Sequence, residues 1–539
     1  MQKNKLFLCL LALVLFHAAE AFAGEPIIWE LSSRPELLKG EARGVSITDT
    51  GVVTLAPRVD AIFNTDQAYI WSTAIDSNGN VYLGTGHDGK LFRVGADGKG
   101  SLLYKAPELD VTALAIASDG AVFAATSPDG KVYRVSGDGK AEVYFDPADK
   151  YIWSLAIMKD GSLAVGTGDN GKLYRVRSAG AKPETSLLID TTQTHVMSLA
   201  VTPQGDLIAG TDPGGLVLRI SPQGKAFALY DAQLREVHAL APAADGSVYA
   251  LVLGEAAATT KPSTSTAAST TDSSAATSVT VTTIGTDESG VVQAASQQSV
   301  RSRNDLTGAR SAVFHIFADG GSDVVWSSTT VTAFSVVAAK TGVLIGTSDK
   351  GRIYSVTNDG RDTLLLQSSE GQISSLVSRG ADFYAASSNQ GKLFRFGDDA
   401  VKEGNYESPV RDAKLVATWG KVWWRGNGNI ELQTRSGNSD RPDSTWSDWS
   451  AAYSDAKGSQ IVSPKARFIQ WRAVLRAPNG AARVDSSLQD VSLAYLPRNV
   501  APEVLSVTVL PAGVALQQQI QIQVDPNIEA PGLIHVLET

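Results

Sequence analysis

Cysteine is nearly absent: the single one, Cys9, lies near the start of the chain, so no disulfide framework is available and stability has to come from burial. Long apolar runs are scarce as well. Leu6 to Phe16 is the longest, and it is shorter than the roughly 20 residues a membrane-spanning helix needs. A basic excess is missing: 47 Lys and Arg stand against 56 Asp and Glu, a net charge of −9 without any basic stripe, which disfavours nucleic acid as a partner. The six histidines (His17, His87, His195, His238, His315 and His535) have no paired ligand spacing. There is no Gly-x-Ser-x-Gly elbow and no Gly-Lys-Ser/Thr phosphate loop, so no catalytic residue, metal or cofactor is assigned from sequence.

The N-terminus has a destination written into it. Lys3 and Lys5 precede the apolar run, and Ala21-Phe22-Ala23 follows as a small-x-small cleavage site, the pattern of a secretory signal peptide over 1–23. Cys9 sits too early, after the bulky Leu8, to be a lipidation site. The expectation is a soluble protein, cut after Ala23 and periplasmic or extracellular, without a transmembrane segment and monomeric.

What is abundant is a repeated phrase: Gly, Lys or Arg, an apolar residue, an aromatic, Arg. Gly89-Lys90-Leu91-Phe92-Arg93, Gly130-Lys131-Val132-Tyr133-Arg134 and Gly171-Lys172-Leu173-Tyr174-Arg175 stand 41 residues apart. Gly215 to Arg219 is a looser fourth copy, and Ser311-Ala312-Val313-Phe314-His315 a degenerate fifth. Gly351-Arg352-Ile353-Tyr354 and Gly391-Lys392-Leu393-Phe394-Arg395 complete the series. Each phrase is a third strand, c. Ahead of it come an alternating strand a (Ile152-Trp153-Ser154-Leu155-Ala156), an Asp-Gly or Asn-Gly hairpin (Asn78-Gly79, Asp119-Gly120, Asp160-Gly161) and a strand b such as Val81-Tyr82-Leu83-Gly84. A fourth strand, d, follows, as in Ser101-Leu102-Leu103-Tyr104. Four short strands in about 40 residues, with period-2 alternation and no helical pattern, predict the blade of a β-propeller. The fold class is therefore all-β: a seven-bladed β-propeller over 59–404 followed by a C-terminal antiparallel β-sandwich.

Ring closure is predicted from the ends. No strand d follows Phe396, whereas Val59 to Thr65, after a lead-in segment over 24–58, aligns with Leu102 to Ala106 and can complete the last blade, removing a free sheet edge. Residues 255–310, rich in Thr, Ser and Ala and devoid of Phe, Trp and Tyr, interrupt the turn between strands b and c of the fifth repeat and are expected to be a disordered loop. Beyond 405, Trp419, Trp423, Trp424, Trp446, Trp449 and Trp471 make up six of the ten tryptophans. With strands such as Phe468 to Leu475, they mark the sandwich over 405–498. Residues 499–539 are a tail or a partial β-domain.

Candidate ligand-facing residues come from the one position in strand a that the repeat does not fix: Trp71, Thr112, Trp153, Met197, His238, Thr332 and Ser374. Its neighbours stay small or apolar, and strand a borders the channel mouth. Trp71, Trp153, Met197 and His238 therefore form a candidate ring supplying stacking surfaces and one group that titrates near neutrality. The alternative is that these wide side chains plug the channel. His87, in the turn Gly84-Thr85-Gly86-His87-Asp88, joins the set. Trp423 and Trp424 are adjacent and must face opposite ways, which leaves one of them available to stack on a ligand unless both faces are core.

The Gly-Lys-aromatic-Arg strand, the Asp-Gly hairpins and the Gly-Thr turns, over roughly 59–396, resemble the WD40-like, YVTN and two-component-regulator propeller superfamily of exported bacterial proteins. The blade-end Trp-Asp dipeptide of eukaryotic WD repeats and the Trp motif of quinone-dependent dehydrogenases are absent. Thr434 to Asn438, Trp446-Ser447-Asp448-Trp449 and Gln470-Trp471-Arg472 are similar to a sandwich appended to propellers in large secreted bacterial proteins. The resemblance implies binding or scaffolding more often than catalysis. The expected function is a non-enzymatic binding or scaffold protein recognising a peptide, glycan or protein partner. The alternative is a lactonase-like hydrolase or lyase using a channel metal or His238.

Overall fold

The computed structural model describes residues 25–178, 182–255, 304–477 and 485–499. The expected signal peptide, most of the insertion and nearly all of the tail lie outside the described residues. The chain divides into two compact units, Met1–Pro497 and Arg498–Thr539, and every described strand belongs to the first.

Apart from one turn of helix, Arg34–Leu37, the described elements are strands. The first repeat is a meander of Ile70–Ile75, Val81–Thr85, Lys90–Val94 and Gly100–Lys105, each strand antiparallel to the next. Ladders of the same order begin at Asp110–Ile116, Ile152–Ile157, His195–Val201, Glu236–Pro242 and Gln372–Arg379, giving six separate four-stranded sheets. The ladder from Ala333–Ala339 to Asp362–Gln367 repeats this order but continues through its last strand into a sheet of fourteen strands. The inner strands touch one another in a closed cycle, the last against the first, and this is the architecture of a β-propeller. The sheet that starts at Gln372 takes its outermost strand from the other end of the chain: Pro57–Asn64 pairs with Lys392–Ala400. In the fifth repeat Val248–Leu253 pairs with Ser311–Ile316, Leu253 opposite Ser311, so the insertion falls at the turn between these two strands.

The core lies between repeats. Most apolar clusters are shared by two consecutive ones, Leu91 and Val111 with Val122, Ala125 and Val132 with Val165, Leu173 and Val196 with Ala209, while the largest joins the fifth and sixth repeats to the lead-in segment and the C-terminal strands. Strand b is covered on both faces, which is why Val81–Thr85, Leu163–Thr167 and Leu207–Asp212 are buried along their whole length and read as apolar runs rather than alternations.

A second set of contacts stitches the ring. Every inner strand carries a β-bulge at the same place, and the bulged residues are Trp71, Thr112, Trp153, Met197, His238, Phe334 and Ser374. The expected sixth member, Thr332, is two residues out of register: it precedes the strand, and Phe334 holds the position. The serine after the bulge reaches into the next repeat. Ser72 Oγ donates to Val111 O (2.9 Å), Ser154 to Val196 O (2.9 Å) and Ser198 to Val237 O (2.8 Å). Where the bulge residue is itself a hydroxyl it does this work: Thr112 donates to Ile152 O (2.5 Å) and Ser374 to Ile70 O (2.6 Å).

Each such serine dictates its cross-strand partner. Ser72, Ser154, Ser198 and Ser335 stand opposite Gly84, Gly166, Gly210 and Gly346, where an added Cβ would run into the hydroxyl and the next repeat's Val111, Val196, Val237 or Ile373. Ala113, which has no hydroxyl, faces Ala125, and Ser375, whose hydroxyl turns to Thr73, faces Ala386. A matching latch closes the turn between strands b and c. Thr85, Thr126, Thr167, Thr211, Thr347 and Ser387 bond the backbone of the residue five places on. The fifth repeat, whose turn is replaced by the insertion, has Val252 there instead.

The lead-in segment is part of the large sheet. Ile27–Leu31 pairs with Ser487–Pro497, Glu41–Arg43 with Glu403–Glu407, and the hairpin Val45–Ile47/Val53–Leu55 bridges Leu488 to Leu364 of the sixth repeat. Arg411–Asn427 changes partner along its length, from Ala466–Arg476 to Ser487–Pro497. Trp29, Trp419, Trp424 and Trp471 are buried in this region. Trp446 and Trp449 lie outside any strand. Ser447 and Ser450 hold their segment to the edge of Asn429–Gly437, each hydroxyl accepting a backbone N–H at 3.1 Å and each N–H donating to a carbonyl at 2.9 Å. Trp449 is flanked by two guanidinium groups, Arg435 at 4.4 Å and Arg472 at 4.6 Å from the ring centre.

Two predictions follow from the packing. Gly166→Ala brings a Cβ against Ser154 Oγ and to 2.8 Å from Val196 Cγ1 and is expected to cost about 1–3 kcal/mol. Ser154→Ala removes the donor to Val196 O and is expected to cost about the same. The double variant recreates the Ala/Ala pair of the second repeat, so in denaturant unfolding its loss should be smaller than the sum of the two; strict additivity would contradict the account.

The second concerns His315, which is buried, stacked on Tyr249 at 4.5 Å and hydrogen-bonded to Ser247 Oγ at 2.7 Å. Burial pushes its imidazole below the ordinary value, against the pull of Asp245 and Asp323. The unfolded chain takes up this proton as pH falls through about 6.5 while the folded chain does not, so stability is lost between that value and the lower folded one. His315→Phe should flatten the fall in melting temperature between pH 7 and pH 5.5 relative to the parent.

Candidate functional site

All inner strands run the same way through the ring, so their first residues and the turns between strands b and c share one face. There the bulge matters chemically: it leaves one residue unpaired and re-aims its side chain. The variable position is variable because no ladder bond and no inter-repeat core constrains it.

Two repeats use this position alike. In both the first and the third, the strand opens with Tyr-Ile-Trp-Ser, and the turn opposite reads Gly-Thr-Gly. Tyr69 and Trp71 are stacked at 5.1 Å with planes 2° apart, and Tyr151 and Trp153 at 5.1 Å and 16°. The indole NH edge of each Trp lies over the second glycine of the turn, Gly86 or Gly168, where an added Cβ would overlap Nε1. Tyrosine, tryptophan and glycine are thus one unit, and the two glycines are needed for close approach rather than for backbone twist.

Each unit is flanked by a polar side chain from the next inner strand. Beside Trp71 it is Asp110, whose carboxylate accepts the His87 backbone N–H at 3.0 Å, and the exposed His87 ring meets Tyr69 edge-on at 4.9 Å. Beside Trp153 it is His195. Its Nδ1 accepts the indole N–H at 3.1 Å and the Asp169 N–H at 3.4 Å, which assigns the ring proton to Nε2, 4.0 Å from Asp212. Arg235 Nε donates to Asp212 at 2.7 Å. In the following repeat His238 Nδ1 and Glu236 Oε1 are 2.6 Å apart, and Phe334 stands edge-on to His238 at 6.3 Å. Burial works to raise the Glu236 pKa, but the His238 hydrogen bond and the positive groups around it hold it below the ordinary carboxylate range.

The structure thus places Trp71 with His87, and Trp153 and His238 on one arc. Met197 is half-buried at the bulge between them. Trp423 and Trp424 lie elsewhere, opposite Ser492 and Val491 in the large sheet; Trp424 is core and Trp423 half-buried. Sequence reasoning missed Tyr69, Tyr151, His195, Asp212, Glu236 and Phe334. The duplicated Tyr-Ile-Trp-Ser and the two-residue spacing of Glu236 and His238 were the available signals. Three lysines of the repeated phrase are consumed locally: Lys131 by Glu108, Lys392 by Glu370, and Lys90 by Asp88, whose carboxyl is pulled down to about 2 by Lys105 and Lys90. No group of three or more His, Cys, Asp or Glu side chains able to hold a metal occurs among the described residues. No helix among them is long and apolar enough to cross a membrane.

No protein-family model matches this sequence, and no curated protein is similar to it. Solved structures with a similar course of chain include virginiamycin B lyase from Staphylococcus aureus (13% identity, TM-score 0.44, covering 69% of this chain and 100% of that one). Another is the extracellular domain of a hybrid two-component system from B. thetaiotaomicron (14%, TM-score 0.43, 63% of this chain and 39% of that one). A third is the computationally designed Ika8 protein (16%, TM-score 0.36, 62% and 98%).

Gly168→Ala should push Trp153 off its turn and away from His195, shifting and weakening tryptophan emission. Gly137→Ala, whose Cβ would meet nothing within 4 Å, should leave the spectrum unchanged.

Proposed function

We propose that this chain is an exported, non-enzymatic binding protein: a seven-bladed β-propeller with an appended β-sandwich that recognises a peptide, glycan or protein partner at one face of the ring. The observation that carries the reading is the pair of Tyr–Trp stacks, whose first tryptophan is 44% exposed although it is held flat by its neighbour. A large aromatic kept in open solvent at a position free of ladder and core duties is where a binding surface is expected. The sixth ladder is counted as a blade because its inner strand takes its place in the cycle between its neighbours. Export rests on residues 1–23 alone.

A second reading has its own support. Glu236 orients His238 through Nδ1, which directs Nε2 away from the carboxylate, the arrangement of a general base. On that reading the face would carry a hydrolase or lyase.

The two readings separate in one experiment. The mature protein is titrated with peptide and glycan libraries while tryptophan fluorescence and chemical turnover are both followed. A binder gives a saturable fluorescence change that Trp71→Thr and Trp153→Thr remove, with ligand recovered intact. An enzyme gives product, and His238→Asn lowers its rate by about 10²–10⁴-fold.

A further inference from the structure

We infer that the two Tyr–Trp stacks are equivalent subsites for one neutral oligosaccharide, each holding the flat apolar face of a pyranose ring. The inference deepens the proposed binding role and rests on it.

The duplication is the first argument. Within a repeat that otherwise tolerates Thr112, Met197, His238, Phe334 or Ser374 at the bulge, only the first and third carry tryptophan, and both carry the whole unit: Tyr, Ile, Trp, Ser, then Gly-Thr-Gly opposite. Two copies of one surface, held at fixed separation by the intervening second repeat, suit a ligand that itself repeats. The second repeat keeps its bulge small, with Thr112 turned into the inter-repeat bond, so no wide side chain stands at that position between the two stacks.

Chemistry at the edges of the stacks is the second. A pyranose offers an apolar face and a rim of hydroxyls that mostly donate, and acceptors flank the platforms: Asp110 beside Trp71 and Glu236 beyond Trp153. The acids Asp110, Asp212 and Glu236 outnumber the cations beside the stacks, which are Arg235, held by Asp212, and Lys150, whose ammonium lies 4.9 Å from the Tyr151 ring centre; a neutral chain fits this rim better than an anionic one. A peptide docking by strand addition needs a regular run of free backbone groups, and the bulges interrupt that run on every inner strand.

The test uses the mature full chain and oligosaccharides of β-1,4-glucose, β-1,4-N-acetylglucosamine and α-1,4-glucose, each from two to seven rings, by isothermal calorimetry. The variants are Trp71→Thr, Trp153→Thr and their double, because Thr112 shows that threonine is accepted at the bulge; unchanged melting curves control for folding. In one series affinity should rise by 10-fold or more once the chain spans both stacks. Either single variant should lower the affinity of that long ligand at least 10-fold and bring it to that of a short one, and the double variant should abolish binding. Affinity independent of chain length, a single variant without effect, or no binding in any series would overturn the inference. Tryptophan-dependent binding of a peptide from the library would overturn it too while leaving the binding role standing, whereas an enzymatic turnover dependent on His238 would remove the binding role itself.

Discussion

Five of the seven inner strands share one contact, a hydroxyl that leaves the strand and hydrogen-bonds a backbone carbonyl of the next. An inner strand has a partner on one side only and borders the channel on the other, and sheets packed face to face by apolar side chains can slide over one another. A short, directional O–H···O bond of 2.5–2.9 Å removes that freedom and fixes the height of each strand relative to its neighbour. Being buried, the carbonyl would otherwise lose its water without return, so the bond is needed for stability as well as for register.

From that bond the rest of the motif follows by exclusion. The serine must come directly after the bulge to point at the next repeat, the residue opposite must be glycine to admit it, and the bulge residue is left without a structural duty. The Thr112 and Ser374 repeats invert the assignment and prove the rule: when the bulge residue makes the bond, the glycine gives way to Ala125 or Ala386. Freedom at Trp71, Trp153 and Met197 is therefore a product of constraint one residue away. Ser335 marks the weak seam. Its hydroxyl is buried without a partner although Gly346 makes room for it, and this sixth repeat is also the one stapled from outside by the large sheet.

The strands, their order and the closing role of the N-terminal strand were legible because they are local or nearly so: alternation, Asp-Gly turns and a phrase recurring every 40 residues each act within a hairpin. The variable bulge position was legible for the same reason, by alignment alone. What stayed hidden depends on partners far away in sequence. Phe334 was displaced to Thr332 because the sixth repeat lacks the flanking landmarks, and only the Ala333–Thr347 and Ser335–Gly346 pairs reveal the register. His195, read as an isolated histidine, gains its role from Trp153 and from Asp212 across the strand. Trp446 and Trp449 look like strand residues by composition. Their segment instead borrows serine hydroxyls in place of a ladder, which no periodicity records.

The lead-in segment makes the same point from the other side. In the sixth repeat the phrase reads Gly-Arg rather than Gly-Lys, a substitution that keeps the charge and passes unnoticed in a repeat alignment. In the fold Arg352 is buried, and it donates to Leu38 O at 2.9 Å and Gly40 O at 3.0 Å while pairing with Asp349 at 2.8 Å. A lysine is a point charge on a flexible stem, whereas the planar guanidinium can satisfy two carbonyls and a carboxylate together, and a buried cation is tolerated only with that degree of pairing. The carbonyls it meets belong to the turn after helix Arg34–Leu37, where helix-end acceptors lack internal partners. One guanidinium thus holds the turn of Leu38 and Gly40 against the sixth repeat, next to the hairpin that joins Leu364 to the large sheet, and the same segment then runs on to Pro57–Asn64 and closes the ring. Closure and docking are thus neighbours along the chain: the strand that seals the propeller is delivered from an anchor on the adjacent repeat.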